Sequence, residues 1–156
     1  MPERTELIYK RSRFGTRLPL DRLYSQSHYW LRETQPGLWR AGFTRFATRM
    51  LGDVVEYQFD VGAGAAVNVG QKIGWIEGFK AISDIYAVAD GDFAALNPAL
   101  LDDITLIESD PYERGWLYEV RGTPEPGAFD AARYAAVLDA TIDKMLAGRH
   151  EEGEDD

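Results

Sequence analysis

The chain contains no cysteine, and its charge is strongly one-sided. Without thiols it can form neither disulfide bonds nor thiolate metal sites, so any thiol chemistry must come from an attached group. The 17 basic residues stand against 26 acidic ones, and the resulting net charge of -9 repels nucleic acid phosphates. This balance argues against nucleic acid as a partner and favours partner proteins with basic docking faces.

Long apolar runs are also missing. No stretch approaches the roughly 20 apolar residues that a membrane span needs. The segment Met1–Arg13 mixes charges of both signs and lacks the apolar core of a secretory signal. We therefore expect no membrane association and a cytoplasmic location. The 156 residues, 45% of them hydrophobic, are enough for one domain with a sizeable core.

Short strand patterns separated by glycine and proline turns dominate the chain. Pro36-Gly37 supplies the backbone restrictions of a tight turn, and Asp90-Gly91 is a second hairpin signal. These patterns predict an all-β sandwich or flattened barrel. The expected strands cover residues 29–33, 38–43, 54–59, 73–76, 82–88 and 116–120.

Helical patterns interrupt this β pattern in three places. Thr44 is a suitable cap for a short helix that ends before Gly52, and residues 99–103 are expected to form one helical turn. Near the end, apolar residues recur at helical spacing up to Gly148, where the helix is expected to stop. This stripe consists of Tyr134, Val137, Leu138, Ile142, Met145 and Leu146. The acidic residues 151–156 are expected to be disordered.

Two glycine-containing segments resemble phosphate-binding loops, but both lack a required residue. Gly62-Ala63-Gly64 would need its third glycine at Val67, and Gly70-Gln71-Lys72 has no Ser or Thr after the lysine. We interpret these glycines as turn residues between short strands.

Lys80 lies between two apolar runs of strand length, Ile73–Ile76 and Ile82–Val88. Gly70 precedes it by ten residues and Gly91 follows it by eleven, which suits two strands of matched length that share one tip. A lysine at such a tip is exposed to water and has nothing to pair with. Most exposed lysines only add solubility, so the spacing alone does not decide between a solubilising charge and a modification site.

Several motifs in register resemble the glycine cleavage H protein family. The segment around Lys80 matches the lipoylation segment of that family, with Glu77, Ala81, Ser83 and Asp84 at the expected positions. Further landmarks follow in the same order, and the resemblance covers residues 24–121. They are His28 and Trp30, Leu51-Gly52-Asp53, Asn97, Asp110-Pro111-Tyr112 and Gly115-Trp116.

The resemblance implies a non-catalytic carrier with lipoate bound covalently to Lys80 as a swinging arm. It implies a mainly β, flattened lipoyl-domain fold of the hammerhead type. A lipoate ligase or lipoyl transferase would attach the arm and read Glu77, while Ser83 and Asp84 would take part in recognition or surround the arm. His28, Tyr29 and Trp116 are candidates for the arm's cleft. Biotin is disfavoured, because Phe79 and Ala81 stand where methionines usually flank a biotinyl lysine.

The same resemblance predicts how the chain is divided into segments. Residues 24–121 form the expected carrier domain and residues 1–23 an N-terminal extension. Residues 122–148 are expected to be a linker and a helix, and residues 149–156 a disordered acidic tail.

One departure from the family concerns the pathway. Members typically have a glutamate between His28 and Trp30, where it faces the ammonium of the loaded arm, and this chain has Tyr29. A phenol cannot replace the charge of a carboxylate at neutral pH. We therefore lean toward a lipoate-binding protein that carries sulfur and works with a heterodisulfide-reductase-like complex. The alternative is the glycine cleavage H protein with its P, T and L partner proteins, in which Asp84 supplies the negative charge.

A hypothesis of another class remains open. The chain could be an unmodified interaction module that docks partners through its C-terminal helix. The mass of the intact protein separates this hypothesis from carriage, because a lipoyl group on Lys80 adds about 188 Da.

Overall fold

A computed structural model describes residues 5–154, with side chains described through residue 148. Its strands are β1 (Glu6–Arg11), β2 (Phe14–Pro19), β3 (Leu23–Tyr24), β4 (Tyr29–Gln35), β5 (Leu38–Phe43), β6 (Val54–Phe59), β7 (Ala66–Val67), β8 (Lys72–Gly78), β9 (Ile82–Tyr86), β10 (Ala89–Leu96) and β11 (Tyr118–Pro124). Its helices are α1 (Arg45–Leu51), α2 (Ala99–Asp102), α3 (Leu106–Ser109) and α4 (Ala131–Glu154). The predicted mainly β fold is confirmed.

The strands form three antiparallel sheets. The largest has the order β3-β4-β5-β11-β10-β7, the second has the order β6-β8-β9, and the third is the β1-β2 hairpin. Side chains from the six-stranded and the three-stranded sheet meet in one apolar cluster, which we call the first core. It includes Leu31, Ile73, Ile76, Ile85, Phe93, Leu117, Tyr118 and Val120. The three-stranded sheet carries Lys80 at the end of its central strand.

A separate cluster, which we call the second core, joins the two ends of the chain. It contains Tyr9, Phe14, Leu18, Tyr24, Trp30, Phe46, Ala131, Tyr134, Leu138 and Ile142. Helix α1 lies between the clusters, because Phe46 is buried in the second core and Leu51 in the first. The expected docking of the apolar stripe on the domain is therefore correct for Tyr134, Leu138 and Ile142, whereas Met145 and Leu146 stay 39% and 41% exposed.

Local turn chemistry confirms two predicted connections. Gln35 pairs with Leu38 across the turn at Pro36 and Gly37, and Gly37 has the positive φ of 77° that this turn needs. Thr44 caps α1, since its side chain accepts a hydrogen bond from the Ala47 amide at 3.4 Å. Gly52 then ends the helix with φ 80°.

Asp90-Gly91 is not a turn, and the prediction of a hairpin there is wrong. Both residues lie inside β10, where Gly91 pairs with Gly122 of β11. A side chain at Gly91 would overlap the Arg121 carbonyl, so this glycine permits close strand pairing. The arms of the Lys80 hairpin therefore run only from Lys72 to Tyr86 and do not extend to the outer glycines.

Other boundaries differ from the predictions. The last strand begins at Tyr118 rather than at residue 116, because the Trp116 carbonyl accepts the side-chain amide of Asn97 and strand pairing starts with Tyr118 opposite Ala41. Helix α3 has no counterpart in the predictions. Helix α4 continues through Gly148 to Glu154, since a glycine costs a helix about 1 kcal/mol without ending it. The rest of the predicted acidic tail, residues 155 and 156, lies outside the described residues.

The segment predicted only as an N-terminal extension forms the β1-β2 hairpin and packs on α4. The Tyr9 hydroxyl donates to Asp139 at 2.8 Å, and the Arg11 guanidinium donates to both oxygens of Asp143 at 2.9 and 2.8 Å. These contacts join residues more than a hundred positions apart, which local sequence patterns cannot predict. Within residues 5–154, no helix has the length and apolar character of a membrane span.

Candidate functional site

Lys80 stands at the tip of the β8-β9 hairpin, as predicted. The Gly78 amide donates to the Ala81 carbonyl at 2.8 Å, which closes a tight turn with Phe79 and Lys80 at its centre. Both central side chains are exposed, and Phe79 is 79% accessible. The hairpin therefore presents one lysine beside one exposed aromatic ring.

The segment between α1 and β6 holds this tip in place. The Lys80 amide donates to the Leu51 carbonyl and the Phe79 amide to the Asp53 carbonyl, each at 3.0 Å. A side chain at Gly78 would overlap the Leu51 carbonyl, so the close approach requires glycine. Leu51-Gly52-Asp53 is a landmark of the sequence, but this role was not predicted, because residue type does not reveal which backbone carbonyl accepts a hydrogen bond.

The prediction that the Lys80 ammonium has nothing to pair with is wrong. Its Nζ donates to the Arg49 carbonyl at 3.4 Å. Arg49 lies in the last turn of α1, where carbonyls have no partner within the helix and carry the negative end of the helix dipole. The contact places the Lys80 stem across the end of α1.

A groove of about 370 Å³ lies next to the tip, between α1 and β9. We call it the α1–β9 groove. Its lining is largely apolar and includes four of the predicted site residues, His28, Tyr29, Ser83 and Asp84. The remaining lining residues are Ser27, Phe43, Phe46, Ala47, Met50, Leu51, Ala81, Ile82 and Tyr86.

Two predicted residues do not line this groove. Trp116 packs against the second core with the Arg40 guanidinium 4.2 Å above its ring, and its assignment to the arm's cleft stays a prediction. Glu77 lies on β8 opposite Ile82, beside the tip but outside the groove. A role for Glu77 in ligase recognition stays a prediction. Met50 and Ile82 line the groove but were not predicted, although Ile82 is an apolar residue only two positions after Lys80.

Asp84 supplies the negative charge of the α1–β9 groove. Its carboxylate lies 3.3 Å from the Lys72 ammonium and accepts the Tyr86 hydroxyl at 3.2 Å. The Tyr29 hydroxyl accepts the Tyr86 amide at 3.0 Å, and burial raises the pKa of Tyr29. Tyr29 is therefore uncharged, and a cation in this groove would be attracted by Asp84.

His28 has a structural role. The residue precedes β4 with a positive φ of 72°, and its Nδ1 lies 2.8 Å from the Tyr134 hydroxyl. The Thr44 hydroxyl is 2.7 Å from the same Tyr134 oxygen. Burial lowers the pKa of His28 to about 4, so the ring is neutral near pH 7. Its side chain ties the groove wall to α4.

Comparison with known proteins gives a consistent result. The family model described as "Glycine cleavage H-protein" matches residues 22–132. A glycine cleavage system H protein from Corynebacterium jeikeium is 40% identical over 124 residues, which cover 78% of this chain and 97% of that protein. One from an Enterobacter species is 39% identical over 126 residues, covering 78% of this chain and 96% of the relative.

A solved structure agrees with these relatives. The crystal structure of a glycine cleavage system H protein from Mycobacterium marinum superimposes with a TM-score of 0.69 at 36% identity. The match covers 76% of this chain and 97% of that one. These findings favour glycine cleavage over the predicted lean toward sulfur oxidation, which they do not support. The β1-β2 hairpin and all but two residues of α4 lie outside the range matched by the family model.

Proposed function

Because the chain belongs to the glycine cleavage H-protein family, we propose that Lys80 carries its lipoyl group and that the cargo is the aminomethyl group of glycine cleavage. The chain is a non-catalytic carrier, and the cofactor of its family is lipoate bound covalently to a lysine. When attached, lipoate would supply a disulfide ring that opens to hold the carried group on one sulfur and leaves a thiol on the other. The observation that carries the proposal is the exposed Lys80 on a tip fixed by the Leu51 and Asp53 carbonyls.

The chain offers four lysines, and their settings differ. Lys72 is paired with Asp84 along the length of the hairpin, Lys10 lies within β1, and Lys144 lies within α4. All four lysines are exposed, but Lys80 alone lies at the apex of a turn. Lys10 and Lys144 also fall outside residues 22–132.

The surroundings of Lys80 fit a lipoyl group. Amide formation removes the positive charge of the lysine, so the side chain can leave water at a lower desolvation cost. A lipoyl-lysine reaches on the order of 14 Å from its Cα, if each of about eleven bonds adds roughly 1.25 Å. The α1–β9 groove begins at Ala81 and Ile82, directly after Lys80, and offers an apolar surface within that reach.

Asp84 supports an amine-bearing cargo. It is the carboxylate in the described lining of the α1–β9 groove, beside the uncharged Tyr29. A carboxylate in a partly desolvated groove stabilises an ammonium group more strongly than it would in bulk water. The loss of a glutamate at position 29 therefore does not leave the groove without negative charge.

The proposed partners follow from the family. They are glycine decarboxylase, aminomethyltransferase, dihydrolipoamide dehydrogenase and a lipoate ligase. We assign the carrier function to residues 24–121, and a cytoplasmic location stays a prediction.

The test is the intact mass of the full chain after incubation with lipoate, ATP and an active lipoate ligase. We expect a gain of about 188 Da in the native protein and in Lys72→Arg, the matched control. Lys80→Arg should show no gain. A gain in Lys80→Arg, or none in the native chain while the ligase acylates a second acceptor, would contradict the proposal.

A further experiment tests the cargo. Lipoylated protein is incubated with glycine decarboxylase and glycine, and its mass is measured again. We expect a methylamine adduct, with less adduct in Asp84→Asn than in the native protein. An active decarboxylase that forms no adduct on the native chain would refute glycine as the source of the cargo.

A further inference from the structure

Another groove borders Lys80 and shares Phe46 and Met50 of α1 with the α1–β9 groove. It has a volume of about 330 Å³ and lies between the β1-β2 turn, α1 and the end of α4. We call it the α1–α4 groove. It is lined by Arg11, Ser12, Arg13, Phe14, Phe46, Arg49, Met50, Lys80, Ile142, Met145 and Leu146.

The Lys80 side chain lies away from the α1–β9 groove, which is lined by the neighbouring Ala81 and Ile82. It lines the α1–α4 groove and also a polar cleft of about 400 Å³ that includes Asp53 and Glu108. Arg49, whose carbonyl accepts the hydrogen bond from Nζ, lines both of them. An extension of the side chain therefore reaches either one without a change in the backbone of the tip, and the carboxylates of the polar cleft make it the poorer surface for a hydrocarbon arm.

The α1–α4 groove has the apolar surface that a hydrocarbon arm needs. Phe14, Phe46 and Ile142 are buried against one another in the second core. Met50, Met145 and Leu146 remain 39–41% exposed around them. Covering these partly exposed side chains with a hydrocarbon arm would remove apolar surface from water.

The charges of the two grooves are opposite. Among the residues with described side chains, the α1–α4 groove is lined by three arginines and no carboxylate, although Asp139 and Asp143 pair with Arg11 behind it. Among the same described side chains, the α1–β9 groove is lined by Asp84 and no arginine or lysine, although the Lys72 ammonium lies 3.3 Å from Asp84 outside this lining. An ammonium group is therefore repelled from the α1–α4 groove and attracted to the α1–β9 groove. An uncharged ring can enter the α1–α4 groove, which is apolar and bordered by arginines.

We propose that the α1–α4 groove is the resting place of the arm on Lys80 whenever the end of the arm carries no positive charge. The inference rests on the proposed attachment to Lys80. Two of its three walls, the β1-β2 turn and the end of α4, lie outside residues 22–132, so these outer segments would add a binding surface to the carrier domain.

The test compares methyl NMR spectra of the full chain before and after lipoylation, with the modification first verified by mass. We expect shifts of the Ile142, Met145 and Leu146 methyl groups with the oxidised ring, and a smaller change at Ile82. Leu146→Gln should at least halve the shift of the Met145 methyl. Leu96→Gln is the matched control, because Leu96 is equally exposed at 41% and lines neither groove.

The outcomes separate this inference from the proposed function. A verified mass gain with shifts confined to Ile82, or with no shifts around either groove, would overturn the resting place while leaving attachment to Lys80 intact. Equal reduction of the Met145 shift by both variants would also overturn it. Failure to gain mass would overturn the proposed attachment and this inference together.

Discussion

The two cores of the protein are built by different means. The first core joins aliphatic side chains of paired strands, such as Ile73, Ile76 and Ile85, which are neighbours within one sheet. The second core is rich in aromatic rings and joins the N-terminal hairpin to α4. Tyr24 and Tyr134 stack there with ring centroids 4.9 Å apart. The comparison suggests that the first core positions the lysine tip, while the second core fastens the two ends of the chain.

The hydrogen bonds of buried tyrosine hydroxyls also differ between the two cores. In the second core, the Tyr134 hydroxyl contacts His28 and Thr44, which precede it by 106 and 90 residues. In the first core, the Tyr118 hydroxyl donates to the Tyr86 carbonyl at 2.8 Å and accepts the Val88 amide at 3.1 Å, at and just after the end of β9. The Tyr134 hydroxyl therefore holds distant segments together, and the Tyr118 hydroxyl fixes the segment that leads away from β9.

The largest expected effect on stability comes from shortening one buried side chain in each core. Leu138→Ala and Ile76→Ala each remove a fully buried aliphatic side chain, so each should lower the free energy of unfolding by about 2–5 kcal/mol. Only Ile76→Ala should also slow acylation of Lys80, since Ile76 lies on the strand that carries the tip. Urea unfolding and a ligase assay under native conditions measure both effects. Equal loss of acylation in folded Leu138→Ala would remove the functional difference between the cores.

A pH effect on stability is expected from His28, which packs against Phe46 and Tyr134 of the second core. The folded pKa of His28, about 4, lies below the ordinary value of 6.5, so the unfolded chain binds the proton more tightly. The stability from neutral His28 is full above pH 6.5 and falls by up to about 3 kcal/mol as the pH drops toward 4. His28→Asn removes this titration, and asparagine tolerates the positive φ.

Urea unfolding from pH 7 to pH 4 measures this difference. The native chain should lose more stability over the window than His28→Asn does. Parallel losses in the two proteins would show that His28 is not held neutral by burial.

The smallest effect on stability is expected at the tip. In Gly78→Ala, a methyl group would overlap the Leu51 carbonyl and displace the Phe79 and Lys80 amides from their acceptors. We expect a loss of about 1–3 kcal/mol but at least a tenfold slower acylation. Gly62→Ala is the control, because nothing lies within 4 Å of its added methyl group. Acylation of Gly78→Ala at the native rate would show that the tip does not need this support.

The difference between the cores also explains what the sequence could predict. The β8-β9 hairpin, the Thr44 cap and the mainly β fold follow from periodicity and turn residues that lie close together in the chain. The β1-β2 hairpin on α4 does not, because Tyr9 and Asp139 meet only in the folded structure. Asp90-Gly91 resembles a turn, but strand pairing on both sides of β10 outweighs that local preference.

The sequence predicts those parts of the candidate site that depend on the identity of a side chain. Lys80, Ser83 and Asp84 were recognised because they match the lipoylation segment of the family. Ser83 and Asp84 line the α1–β9 groove, and Lys80 lies at the tip beside it. The sequence did not predict two further parts of the site, because both depend on how the chain folds. They are the backbone carbonyls of Leu51 and Asp53 and the wall formed by α4. Trp116 was assigned to the cleft by its position in a motif, and its ring packs against the second core beneath the Arg40 guanidinium.

The most direct test of the account locates the lipoyl group by mass spectrometry of peptides from the ligase-treated full chain. The account predicts a gain of about 188 Da on the peptide that contains Lys80 and on no other lysine. A gain on Lys10, Lys72 or Lys144 in place of Lys80 would contradict it.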